Sequence, residues 1–299
     1  MGEITSRRRA RFALPRTMLI AAALAASFLG SDALAQGKRS IDSPFGEERA
    51  LPTDGNEVVD VAATWIPELP GHATSAVAIT FTIDPGWHLY WKNNGDTGMP
   101  IMLDLDLPNG VTAGETLWPA PRRYVHSGGL LDYIYEGEVT LIVPIGGVSD
   151  VRPTDGRPLG KVSIEFLVCQ EACIPGERTV DLAIPGEADE PPVAEAMRAV
   201  DLTRRLPRPG GAEWSWDGTT LVITTPEADG AESLVFFPEE DENVRPVNAL
   251  RDGEAKGRVL RFEYRDAVRR AGVVRGVLEV RNRNGDTAFY QVQTAPPRG

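Results

Sequence analysis

The stretches Ala76-Val77-Ala78-Ile79-Thr80-Phe81-Thr82-Ile83 and Val162-Ser163-Ile164-Glu165-Phe166 place a bulky apolar side chain at every second position. That period belongs to a strand with one buried face, and a helix cannot use it. Similar short runs recur between Gly and Pro turns at Val58 to Trp65, Trp87 to Trp91, Ile101 to Leu105, Val139 to Ile145 and Thr179 to Ile184. Many short strands with almost no helical periodicity predict a β-sandwich. With 299 residues, 42% of them hydrophobic, the chain has the apolar content for buried cores, and wholesale disorder is excluded.

The punctuation divides the chain. Residues 36–55 are polar and aperiodic and read as a flexible lead-in, and residues 56–186 hold the first β unit. Residues 187–211 form a linker in which Val193 to Leu202 has helical propensity and an apolar stripe, before Leu206-Pro207-Arg208-Pro209-Gly210-Gly211 breaks the chain. A second β-rich, sandwich-like unit is expected over 212–299. Its strands are Thr220 to Thr224, Ser233 to Phe237, Arg258 to Tyr264, Gly276 to Arg281 and Ala288 to Gln293, and Asn282 to Asp286 has hairpin chemistry.

At the N-terminus, Arg7, Arg8, Arg9, Arg11 and Arg16 precede an apolar run from Met18 to Leu29 that ends in Ala33-Leu34-Ala35. This is the layout of a secretory signal, residues 1–35, with cleavage expected after Ala35. The run is too short for a hydrocarbon core of roughly 30 Å. The paired arginines permit a twin-arginine route, although the apolar pair expected directly after them is missing. Loss of five positive and two negative side chains takes the formal charge from −12 to −15. Such acidity argues against a nucleic-acid partner, which needs a cationic face. No later run approaches membrane length, so a soluble exported protein is expected, in the periplasm of a double-envelope host.

The two cysteines sit in Cys169-Gln170-Glu171-Ala172-Cys173, at the end of a strand-like run and before Ile174-Pro175-Gly176, which reads as a turn. As a structural disulfide the pair closes a loop so short that it removes only about 2 kcal/mol of unfolded-state entropy. As a metal site it lacks companions, because the chain offers only His72, His88 and His126, each isolated in sequence, plus Met99 and Met102. Cu(I) on the two thiolates is the one metal reading with ligands. As a thiol-disulfide exchanger the pair needs only a thiolate that attacks and a second cysteine that resolves. Spacing and compartment leave staple and exchanger both open.

Two further clusters stand out. Asp84-Pro85-Gly86-Trp87-His88-Leu89-Tyr90-Trp91 leads into the polar loop Gly95-Asp96-Thr97-Gly98, and Trp118-Pro119-Ala120-Pro121 leads into Tyr124-Val125-His126-Ser127-Gly128-Gly129-Leu130-Leu131. The aromatics serve either as sandwich filling or as a shield for a reactive sulfur pair. Ser127 and His126 have no nucleophile-elbow or oxyanion context.

Three motifs in matching order, Gly86 to Trp91 with Gly95 to Gly98, Tyr135-Glu136-Gly137-Glu138-Val139, and Leu167-Val168-Cys169 to Cys173-Ile174-Pro175, resemble the N-terminal periplasmic domain of the DsbD thiol:disulfide interchange family. The likeness is nearer to its suppressor-of-copper-sensitivity B branch, and Phe236-Phe237-Pro238 resembles that branch's second extracytoplasmic segment. The resemblance implies an immunoglobulin-like sandwich whose pair, Cys169 and Cys173, is redox-active and catalytic. It implies a cap over the pair near His126, Ser127, Gly128, Gly129 and Leu130, with Trp87, His88 and Tyr90 shaping access. The cysteine spacing is shorter than in the best-known members of that family.

The implied role is relay of reducing equivalents, with no cofactor. The donor would be a thioredoxin-like or membrane electron-conduit protein and the acceptor a periplasmic disulfide protein. The 299 residues hold neither a series of membrane-length runs nor a thioredoxin-like Cys-x-x-Cys pair, so a separate donor is expected. A thiol facing partners works best with a lowered pKa, and Glu171 beside it opposes that, which predicts a slow exchanger opened by docking. The other class of function is a binding or scaffold module with a structural disulfide, serving copper tolerance through Cu(I) on the two thiolates.

Overall fold

The structure is a computed structural model in which residues 52–69, 74–147, 159–182, 211–226 and 230–298 are described. The signal segment, most of the lead-in and the expected helix at Val193 to Leu202 lie outside these residues. Those described comprise seventeen strands and three helical turns of three to five residues. Every strand pairing is antiparallel. The chain is all-β, an immunoglobulin-like sandwich followed by a second β-rich sandwich.

In the first half, β1 (Val59–Ile66), β2 (Ser75–Ile83), β8 (Glu138–Gly146) and β5 (Thr112–Ala113) form one sheet in that order. A second consists of β10 (Cys173–Leu182), β9 (Gly160–Cys169) and β4 (Met102–Asp106), and a third of β3 (Leu89–Gly95), β7 (Leu131–Tyr135) and β6 (Arg122–Val125). The alternation in β9 is obeyed: Val162, Ile164, Phe166 and Val168 are buried while Lys161, Ser163 and Glu165 face solvent. Phe166 meets Phe81 edge-on at 6.4 Å between centroids, joining two of the sheets.

The alternation in β2 is less simple than its sequence suggests. Val77, Ile79, Phe81 and Ile83 enter the main core, and Ala76 and Ala78 are buried as well, packing with Ile66, Leu69 and Ile142 against Leu117. Leu117 bridges to Ile142 through backbone hydrogen bonds of 2.7 and 3.2 Å, so a connecting segment covers the outer face. At the end of the lead-in, Asp54 and Glu57 cap the helical turn Gly55–Glu57, and the Asn56 side chain donates to the Glu177 carbonyl at 2.9 Å.

The second half has one sheet of β11 (Glu213–Asp217), β12 (Thr220–Thr224) and β15 (Val259–Glu263). The other holds β14 (Glu254–Lys256), β13 (Ala231–Pro238), β16 (Val274–Asn282) and β17 (Thr287–Thr294). The hairpin at Asn282 to Asp286 forms as expected, with the Asn282 amide donating to the Asp286 carbonyl and Gly285 at φ 89°. Residues 50–299 make one compact unit, and the halves share a core. Val235, Phe237 and Val277 are buried in the same cluster as Trp91 and Tyr133. Around them, Lys92 pairs with Glu239, the Asn93 side chain donates to the Pro238 carbonyl at 2.8 Å, and Arg123 donates to the carbonyls of Ala249 and Leu250.

Candidate functional site

Strands β9 and β10 form a hairpin whose final cross-strand pair is Cys169 and Cys173. Gln170, Glu171 and Ala172 make the turn, closed by the Gln170 amide donating to the Ala172 carbonyl at 3.1 Å. The Cα atoms are 4.1 Å apart and the sulfurs are bonded to each other. Ile174-Pro175-Gly176, expected as a turn, belongs instead to β10. Pro175 is tolerated because β10 is an edge strand. Gly176 is required because a Cβ there would lie 2.3 Å from the Phe166 ring.

The two sulfurs have different surroundings. Cys169 is 2% exposed, in a small apolar cluster with Tyr90 and Ile134 against Leu167. Cys173 is exposed, as is Glu171 in the turn.

Strand β9 is held on both edges at this end. One edge carries Cys173; on the other, beyond the last residue paired with β4, His88 exchanges two backbone hydrogen bonds with Cys169, at 2.9 and 3.0 Å. This bridge brings the Trp87-His88-Leu89-Tyr90 segment to the disulfide. His88 is 4% exposed and its Nε2 lies 3.3 Å from the Tyr90 hydroxyl. That hydroxyl lies 4.0 Å from the Cys173 Sγ. Burial holds the His88 imidazole below its ordinary value of 6.5, with Asp132 and Glu136 pulling it up and His126 pushing it down. Burial also raises the Tyr90 phenol, against a hydrogen bond with Thr97.

The loop Gly95 to Gly98 fixes Tyr90 in place. A Cβ on Gly98, at φ 73°, would stand 2.1 Å from the Tyr90 ring, so only glycine lets the loop lie on it. Asp96 accepts the Leu131 amide at 2.7 Å. Thr97 donates both its amide, at 2.8 Å, and its hydroxyl to the carboxylate of Asp132, which is fully buried. Asp132 also binds the His126 Nε2 at 2.7 Å.

His126, Ser127, Gly128, Gly129 and Leu130 form the turn between β6 and β7, closed by the His126 amide on the Leu130 carbonyl and the Gly129 amide on the His126 carbonyl, both 2.9 Å. Among the described residues, no hydrogen bond runs from Ser127 to Leu130 to either sulfur. The turn is linked to the pair through rings: Tyr124 stands 4.8 Å from His126 and 5.3 Å from His88 between centroids. Trp87 is in the main core. Thr97 and Tyr124 lie in the two clusters that the sequence marks, without a role there, and Asp132 lies outside them as delimited above. For Asp132 a signal existed, a carboxylate inside the apolar run Leu130 to Tyr135, which is costly unless hydrogen-bonded.

Chemically, a disulfide between one exposed and one buried cysteine favours a nucleophile at Cys173, with Cys169 as the leaving thiolate. Among the described residues no group of three or more His, Cys, Asp or Glu gathers to hold a metal ion, and no helix is long and apolar enough to cross a membrane.

The sequence profile of the N-terminal part of the thiol:disulfide interchange protein DsbD matches residues 56–185. No curated protein matches the chain. Among solved structures, the N-terminal periplasmic domain of ScsB from Proteus mirabilis aligns with a TM-score of 0.57 and 16% identity, over 83% of this chain and 97% of that one. The reduced N-terminal domain of Neisseria meningitidis DsbD aligns with a TM-score of 0.31 and 16% identity, over 46% of this chain and 92% of that one. At 16% identity the ScsB likeness speaks for the fold.

Proposed function

Residues 56–185 belong to the family of DsbD N-terminal domains, and on that premise we propose that the chain is a periplasmic thiol-disulfide interchange protein. Its Cys169–Cys173 pair relays reducing equivalents from a separate thioredoxin-like or membrane-conduit donor to periplasmic disulfide proteins. The observation that carries this reading is the asymmetry of the pair: Cys173 meets solvent while Cys169 is sealed beneath Tyr90 and Ile134. A staple has no use for that asymmetry, whereas exchange needs one reachable sulfur and one protected resolving thiol.

The donor thiolate attacks the Cys173 Sγ, the Cys169–Cys173 bond breaks, and Cys169 leaves as a thiolate that takes up a proton. The donor's second thiolate then attacks the donor sulfur of the mixed disulfide and expels Cys173. The donor ends oxidised and this pair reduced, two electrons having moved.

Redox titration of the purified protein against glutathione, with mass spectrometry of single-cysteine variants, tests the reading. Cys169→Ala is expected to accumulate a mixed disulfide on Cys173, and Cys173→Ala to accumulate little on the sealed Cys169. A potential below about −300 mV, the range of structural disulfides, with no trapped adduct on Cys173, would refute it.

A further inference from the structure

The exchange chemistry leaves Tyr90 and His88 without a chemical task, yet their placement against the pair is specific. The Tyr90 hydroxyl lies 4.0 Å from the Cys173 sulfur, and it has one proton to give. Two acceptors compete for that proton: the His88 Nε2 and the Cys173 Sγ. The Thr97 hydroxyl donates to the buried Asp132 carboxylate.

Once the pair is reduced, a Cys173 thiolate is the charged acceptor at this hydroxyl, and charged acceptors bind donors about twice as strongly as neutral ones. The arrangement closes if His88 carries its hydrogen on Nε2 and donates to the Tyr90 oxygen. The ring is neutral in that state, in keeping with its burial. Its position relative to the pair is fixed, because the His88 backbone is bonded on both sides to Cys169.

We propose that Tyr90 is a catalytic residue of the exchange reaction, donating its hydroxyl hydrogen to the Cys173 thiolate, and that His88 is a positioning residue that points this hydrogen by donating Nε2–H to the Tyr90 oxygen. The proposal rests on the interchange reading above. In the reducing direction Tyr90 stabilises Cys173 as it is expelled by the donor's second thiolate. In the opposite direction it keeps Cys173 ionised for attack on an acceptor disulfide, after which Cys169 resolves. No proton is transferred from Tyr90 in either direction, and Gly98 under its ring keeps the hydroxyl aimed.

The test measures thiolate, which needs no partner protein. In the Cys169→Ala variant the ultraviolet thiolate absorbance of Cys173 is followed against pH, with and without Tyr90→Phe. A hydrogen bond to a charged group contributes about 1.5–3 kcal/mol, so the added Tyr90→Phe is expected to cut the thiolate present at pH 7 by about tenfold. His88→Phe, which keeps the ring, is expected to cut it less. An unchanged thiolate fraction in folded Tyr90→Phe protein overturns the proposal. Nitrogen NMR of His88 in the reduced wild type decides independently of how the variants fold: a hydrogen on Nε2 supports the relay, and one on Nδ1 alone overturns it. If glutathione exchange fails in the wild type while Tyr90→Phe still lowers the thiolate, the interchange reading falls and the Tyr90 hydrogen bond stands. If exchange proceeds and the thiolate is unmoved, only the Tyr90 assignment falls.

Discussion

Phe236 and Phe237 are neighbours in β13 whose rings lie in different cores. Phe236 packs with Phe262 at 5.1 Å in the second half. Phe237 meets Tyr133 at 5.7 Å and Trp91 at 6.4 Å in the core of the first. The two-residue period of a strand turns one dipeptide into a rivet between the halves. Phe237→Ala is expected to cost about 3–5 kcal/mol and to separate the unfolding of the halves into two steps. Phe236→Ala should cost a similar amount through the second half alone. Chemical denaturation followed by tryptophan fluorescence and by circular dichroism distinguishes the cases, because the two probes should diverge for Phe237→Ala.

The ion pair beside Phe237 should matter far less. Lys92 and Glu239 keep side-chain exposures of 27% and 24%, and pairs open to solvent contribute about 0–1 kcal/mol. Lys92→Met, which removes both the ion pair and the ammonium 5.6 Å from the Trp91 ring centroid, is expected to change the unfolding free energy by about 1 kcal/mol. A loss as large as that of Phe237→Ala would show that charge rather than packing joins the halves.

Removing the bond between the cysteines should barely loosen the fold. Closing so short a loop restrains the unfolded chain by about 2 kcal/mol at most. The melting temperature with and without reductant is therefore expected to differ by a few degrees, with one cooperative transition in both states. Complete unfolding on reduction would make the pair a staple.

The buried His88 gives stability a definite pH dependence. Its folded-state pKa lies below 6.5 because burial disfavours the imidazolium, so the unfolded chain binds the proton first. The contribution is complete above about 6.5 and is lost as the pH falls below it. Unfolding free energies measured through that window should decline with acidification in the wild type and decline less in His88→Phe. Equal slopes would count against a buried neutral imidazole.

Gly98→Ala is expected to displace the Tyr90 ring, since the new methyl would stand 2.1 Å from it and the backbone sits at φ 73°. A destabilisation of about 1–3 kcal/mol follows from strain at such a position, read as a lower melting temperature together with altered glutathione exchange.

Much of this fold is legible in the sequence because β9 and β2 write their buried faces as alternation. Strands β6 and β7 escape that reading. All five residues of β7 are buried, so the run Leu131 to Tyr135 has no polar face to alternate with. Pro175 and Gly176 resemble a turn because local chemistry does not reveal that β10 is an edge strand beside the Phe166 ring. The cysteines are legible as a close pair. Their unequal exposure is set by Tyr90, Ile134 and Leu167, which are distant from one another in sequence and meet only in the folded chain.

The bridge between His88 and Cys169 has a consequence for how the pair would change state. Cys169 is tied to His88 by two main-chain hydrogen bonds and faces Cys173 in the hairpin register, and none of these contacts involves sulfur. Opening the S–S bond therefore deletes no main-chain bond around either residue. The oxidised and reduced forms can share one backbone, so a change of state at the pair would require no main-chain rearrangement.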